Sequence, residues 1–67
     1  MTEYLVITHT QLKTGVTYTS TNQQPTIEAA LEWIDLLRDN GFNIVGCALC
    51  ELNCDTYEVR TILTWGE

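Results

Sequence analysis

Basic residues are scarce in this chain of 67 residues: three Lys and Arg stand against nine Asp and Glu, for a formal net charge of −6. That scarcity argues against direct nucleic-acid binding, whose affinity comes largely from Lys and Arg neutralising phosphates. It argues equally against adhesion to an anionic membrane. Long apolar runs are missing too, and none approaches the ~20 residues a membrane-spanning helix needs. The first residues, Met1-Thr2-Glu3-Tyr4, show neither the basic start nor the apolar stretch of a secretory leader. An even set of cysteines is also lacking. Cys47, Cys50 and Cys54 are three, closely clustered, which makes a poor disulfide framework. A reduced, cytoplasmic setting is therefore expected. There is no Gly-rich phosphate loop and no nucleotide fingerprint.

What is present suits one small globular domain spanning residues 1–67. The hydrophobic fraction is 45%, enough to build a core. A core this small supplies only roughly 3–5 kcal/mol of net stability, so good packing or a partner subunit carries weight.

The chain divides into five elements. Glu3 to Thr10, rich in β-branched and aromatic residues, reads as a strand. Gln11 to Gly15 reads as a turn, with Gly15 free to adopt positive φ. Val16 to Thr21 alternates and reads as a second strand, in a hairpin with the first. After Asn22-Gln23-Gln24, Pro25 suits the first turn of a helix. Thr26 to Asn40 is that helix, and Gly41 ends it. Phe42 to Leu52 reads as a third strand, Asn53-Cys54 as a tight turn, and Thr56 to Trp65 as a fourth strand.

The expected fold is thus α+β, a ββαββ domain with a four-stranded antiparallel sheet and one helix on one face. The first and third strands are apolar on both faces and belong in the middle, which gives the order 2-1-3-4. A two-residue turn at Asn53-Cys54 pairs Ala48 with Val59 and Cys50 with Tyr57. Gly46 and Ala48 are small and would let a helix approach, so their face is expected to be the covered one. The other face would then present Val45, Cys47, Leu49 and Ile62 beside Glu58 and Arg60. Left uncovered, Val45, Leu49 and Ile62 are candidates for self-association as a C2 dimer, as is the Trp33 and Leu36 flank of the helix.

At about 100° per residue, the helix separates into stripes. Ile27, Ala30, Leu31, Ile34 and Leu37 form the expected core stripe. Glu28, Glu32, Asp35 and Asp39 recur at i, i+4, i+7 and i+11 and form a wholly acidic stripe. Local helix energetics do not favour it: opposite charges at i, i+4 stabilise by ~0.2–0.5 kcal/mol and like charges cost a similar amount. Only Glu28 gains clearly from the helix N-terminus, and Asp39 lies at the unfavourable end of the dipole. Ala29, Trp33 and Leu36 make a third stripe that flanks the core on the far side from the acids.

The one motif-like feature is Cys47-x-x-Cys50-x-x-x-Cys54. A zinc site needs four converging ligands, and in a strand residues three apart point to opposite faces. A redox Cys-x-x-Cys works best at a helix N-terminus, and this one lies in a strand. Cys47 and Cys50 are read as packing residues, with no metal and no cofactor expected. His9 has no nucleophile or orienting acid placed with it by the sequence. The helix carboxylates lie on an exposed face, without the pocket that shifts catalytic pKa values.

In length, acidity and ββαββ build, the chain resembles small phage-encoded inhibitors, including anti-CRISPR proteins and DNA mimics, with no shared motif. That likeness implies a non-catalytic inhibitor occupying the basic surface of a nucleic-acid-binding protein. The expected binding residues are Glu28, Glu32, Asp35 and Asp39 for electrostatic attraction, with Trp33 and Leu36 as the apolar anchor. The alternative is a structural or regulatory homodimer with no charged target. A small metal or redox protein using the cysteines ranks third.

Overall fold

The computed structural model describes residues 1–66. Its elements follow the order ββαββ: β1 Thr2–Gln11, β2 Thr17–Gln24, α1 Ile27–Asp39, β3 Ile44–Asn53 and β4 Val59–Gly66. The four strands form one antiparallel sheet in the order β2-β1-β3-β4. The α+β arrangement and the strand order are those the hydrophobic pattern predicts.

Local chemistry accounts for the boundaries. The first hairpin closes where the Leu12 amide donates to the Val16 carbonyl and the Gly15 amide to the Leu12 carbonyl. Gly15 sits at φ +90, a conformation that other residues adopt at a steric cost. The helix starts at Thr26, whose Oγ1 accepts from the Ala29 amide at 3.1 Å. Pro25 therefore precedes the cap and does not occupy the first helical turn. At the other end, the Gly41 amide donates to the Arg38 carbonyl and the Phe42 amide to the Leu37 carbonyl. With Gly41 at φ +84, this is a Schellman motif. The Asn40 side chain adds a bond to the Leu36 carbonyl at 2.7 Å.

The second hairpin departs from the two-residue turn expected at Asn53-Cys54. Its loop runs through Cys54–Tyr57: the Asn53 amide donates to the Glu58 carbonyl, and the Tyr57 amide to the Asn53 carbonyl. The Asn53 side chain accepts from the amides of Asp55 and Thr56, and Tyr57 takes φ +61. The loop is two residues longer and starts one residue later, which moves β4 by four residues, so Leu52 pairs Val59, Cys50 pairs Thr61 and not Tyr57, and Leu49 pairs Leu63. Ile62 is left over between Thr61 and Leu63 as a bulge. A second irregularity leaves Val45 as the extra residue on β3, opposite His9 and Thr10 of β1.

The covered face of the sheet is the reverse of the expected one. Val6, Cys47 and Leu49 pack with Ala30 and Ile34 of the helix to make the core, and Tyr4, Trp33, Ile44 and Trp65 close in around it. Register explains the reversal. Val6 lies opposite Leu49 and Thr8 opposite Cys47, so the odd-numbered residues of β3 share the face of Val6. Gly46, Ala48 and Cys50 turn to the open face. The close approach of the helix comes from Ala30, fully buried, and from the buried Thr8 and Thr10.

The helix packs chiefly over β1 and β2. Its inward residues are Ala30 and Ile34. Ile27 and Leu31, expected in the core, are 40% and 43% exposed. No helix among the described residues is long and apolar enough to cross a membrane.

Candidate protein-binding surfaces

Two surface regions stand out on the helix, and they adjoin at Glu32. The first is its outer face. Glu28, Glu32, Asp35 and Asp39 are all exposed. They fall within an arc of about 60°, turned away from the buried pair Ala30 and Ile34. Among the described residues none of the four forms an ion pair. The two ion pairs found there lie elsewhere, joining Arg60 to Glu51 at 3.2 Å and the N-terminal ammonium to Asp55 at 2.9 Å. The stripe is therefore a concentration of uncompensated negative charge. Its apolar border is Leu31, three residues after Glu28 and four before Asp35, with Ile27 beyond it.

The second region lies on the opposite flank of the helix, above β2. Trp33, Leu36 and Leu37 form one wall of a depression of about 420 Å³; Thr8, Thr10, Tyr18 and Ser20 form its floor, and Asn40 and Phe42 close one end. Trp33 is half-buried and packs on the core. Leu36 is 51% exposed. Of the expected binding residues, the structure brings Glu32, Trp33 and Leu36 together around a second depression with Gln24 and Ala29. Trp33 and Leu36 lie on the β2 side with Glu32 at their border, while Glu28, Asp35 and Asp39 line neither depression.

The predicted self-association residues do not form a patch. Leu49 is 2% exposed and belongs to the core. This corrects the expectation that it lies on an uncovered face, an expectation that followed from assigning Gly46 and Ala48 to the helix. Val45 and Ile62 are the extra residues at the two irregularities, half-buried and exposed respectively. The apolar residues that sequence reasoning missed are Ile27, Leu31 and Leu63, the last 52% exposed. Their signal was hidden, because periodicity identifies an apolar helix face but not how far a sheet extends beneath it.

The cysteines are free and scattered by the fold. Cys47 faces the helix within the core, and burial raises its thiol pKa, an effect the nearby Arg38 charge and the Ala48 amide oppose. Cys50 faces the other way, its sulfur 3.9 Å from the Thr61 hydroxyl. Cys54 sits in the hairpin loop, where its amide donates to the Met1 carbonyl. Among the described residues no three His, Cys, Asp or Glu side chains gather closely enough to hold a metal ion. The His9 ring bonds the Thr19 hydroxyl at 2.9 Å across the hairpin.

Compared with protein-family models, curated proteins and solved structures, the chain matches none.

Proposed function

We propose that the protein is a non-catalytic binding module whose acidic helix face docks on a basic protein surface. The basic surface of a nucleic-acid-binding protein fits this description, which makes an inhibitor of the phage type, DNA-mimic or anti-CRISPR-like, the form of the reading that the charge favours. The observation that supports it is the row of Glu28, Glu32, Asp35 and Asp39, exposed on one face without a cation bound to any of them. Charge of one sign speeds encounter with the opposite sign and rejects wrong partners, while lifetime depends on apolar contact. Leu31 and Ile27, exposed beside the stripe, supply that contact.

Capture from a lysate, identification of the partner and measurement of association kinetics test the reading. Replacing Glu32→Gln and Asp35→Asn together keeps shape and removes two charges. Association at low salt slows several-fold and its salt dependence flattens, because attraction between exposed charges is screened over ~8 Å at physiological ionic strength. Folding stability stays within about 0.5 kcal/mol of the parent, shifted upward if at all, since repulsion along the helix is relieved. Equal association rates for parent and double variant at low salt would reduce the stripe to a solvated face.

A further inference from the structure

The β2 edge carries information that the acidic face does not. β2 is an outer strand of eight residues, Thr-Tyr-Thr-Ser-Thr-Asn-Gln-Gln, with no charged residue, no proline and no irregularity in its pairing with β1. Exposed edges in monomers are ordinarily guarded by charges, prolines, bulges or a covering element. β2 has none of the first three, and the depression beside it is open.

The direction of its free hydrogen-bonding groups follows from the ladder. The Gln11 amide donates to Asn43, away from β2. In an antiparallel pair the residue opposite such a group also turns its amide and carbonyl outward, and the pattern alternates. Thr17 lies opposite Gln11 in a continuous register. Thr17, Thr19, Thr21 and Gln23 therefore present their backbone groups to the outside.

We infer that β2 pairs antiparallel with β2 of a second copy, making one eight-stranded sheet with the two helices side by side across the dyad. The occupant is a second copy for three reasons. The edge is neutral along its whole length, so a copy meets no like charge on it; the nearest acid, Glu3, sits one strand in and accepts from Gln23. A foreign basic segment would find nothing on this edge to match its charge. The third reason is geometric. Strands stand about 4.8 Å apart, and a helix centred over β1 and β2 lies about 5 Å from a dyad beyond β2. Two such helices come to roughly 10 Å, the separation at which helices pack. The residues turned toward the dyad are Ala29, Trp33 and Leu36, spaced i, i+4, i+7, with Tyr18 below. Of the acidic residues only Glu32 borders these side chains; Glu28, Asp35 and Asp39 lie farther round the helix, so the dimer leaves them free and does not depend on the basic partner.

Sedimentation over a concentration series in physiological salt tests the inference. The parent sediments as a monomer–dimer equilibrium, with twice the monomer mass at high micromolar concentration. Thr21→Pro removes an outward amide without touching the β1 ladder, and proline is tolerated at such edge positions. It raises the dimer dissociation constant about tenfold or more while the far-UV spectrum is unchanged. Thr21→Lys, which needs no backbone adjustment, does the same and guards against a folding defect in the proline variant. A parent that remains monomeric at the highest concentration overturns the inference. So does a dimer that both variants leave undiminished, because the contact would then lie on another face.

Discussion

The sheet has two edges, and they are built differently. β2 runs in unbroken register, carries no charge and lies under the helix. β4 bulges at Ile62, carries Arg60 in an ion pair with Glu51, and leaves Val59 and Leu63 more than half exposed. Bulges and charges are the devices by which natural sheets discourage edge pairing. The difference teaches where association belongs. On the inferred dimer, the plain, neutral edge takes the second strand, and the bulged and charged edge is guarded against strand addition although it shows bare apolar side chains. The acidic helix face approaches the β2 side only at Glu32, which shares a depression with Gln24.

The largest effect that separates the two sides is on stability. Ile34, on the inner face of the helix over β1 and β2, is 2% exposed, and Ile34→Ala costs about 2–5 kcal/mol. That is comparable to the roughly 3–5 kcal/mol of net stability that a domain of this size commands, so the variant loses most of its stability. Leu63→Ala on β4, at an exposed position, changes stability by about 0.5 kcal/mol or less. Urea titrations of the two variants measure the contrast, and similar losses for both would erase it.

A smaller effect sharpens the β4 side. Gly66 lies opposite Gly46 at φ +81, and a Cβ added there would stand 2.6 Å from the Val45 carbonyl oxygen. Gly66→Ala costs about 1–2 kcal/mol for the left-handed backbone alone. Because the clash falls at the end of β4, part of the cost appears as fraying of that strand. Amide signals of Trp65 and its neighbours in β4 lose dispersion while those of β2 do not; loss along the whole sheet would show that the two edges are not independent.

Much of this fold was legible because its signals are local. A run of good helix formers, a glycine stop, a glycine in a hairpin and two strands apolar on both faces set the elements and their order. What was not legible depended on partners distant in sequence. β3 is apolar on both faces, so only its register with Val6 and Thr8 decides which face meets the helix. Gly46 and Ala48 pointed the wrong way because Ala30, on the helix, provides the close approach. The last hairpin was misjudged because its loop is held by the Asn53 side chain and by Tyr57 at positive φ, a conformation uncommon for tyrosine. The acidic stripe was read correctly as an exposed row. The exposure of Ile27 and Leu31 was not foreseen, since an apolar stripe on a helix does not reveal how much of it a small sheet covers.

The smallest effect concerns Cys47. Burial raises its thiol pKa, so the folded chain holds a proton that the unfolded chain releases. The associated stability is fully present below the unfolded thiol value, about pH 8.5, and is lost as pH rises through the higher folded value. Thermal midpoints therefore decline on the alkaline side. The decline is shallower in Cys47→Ala, although that variant is less stable overall; identical slopes would remove the thiol from the account.

The central claim is that the β2 edge, and not the β4 edge, is prepared for a second copy. Amide hydrogen exchange, followed residue by residue at low and at high protein concentration, tests it most directly. The account predicts that the amides of Thr19 and Thr21 exchange fast in dilute protein and become protected as concentration rises, while the β4 amides that face away from β3 stay fast throughout. Fast exchange at Thr19 and Thr21 at every concentration, or protection appearing on β4 instead, would contradict it.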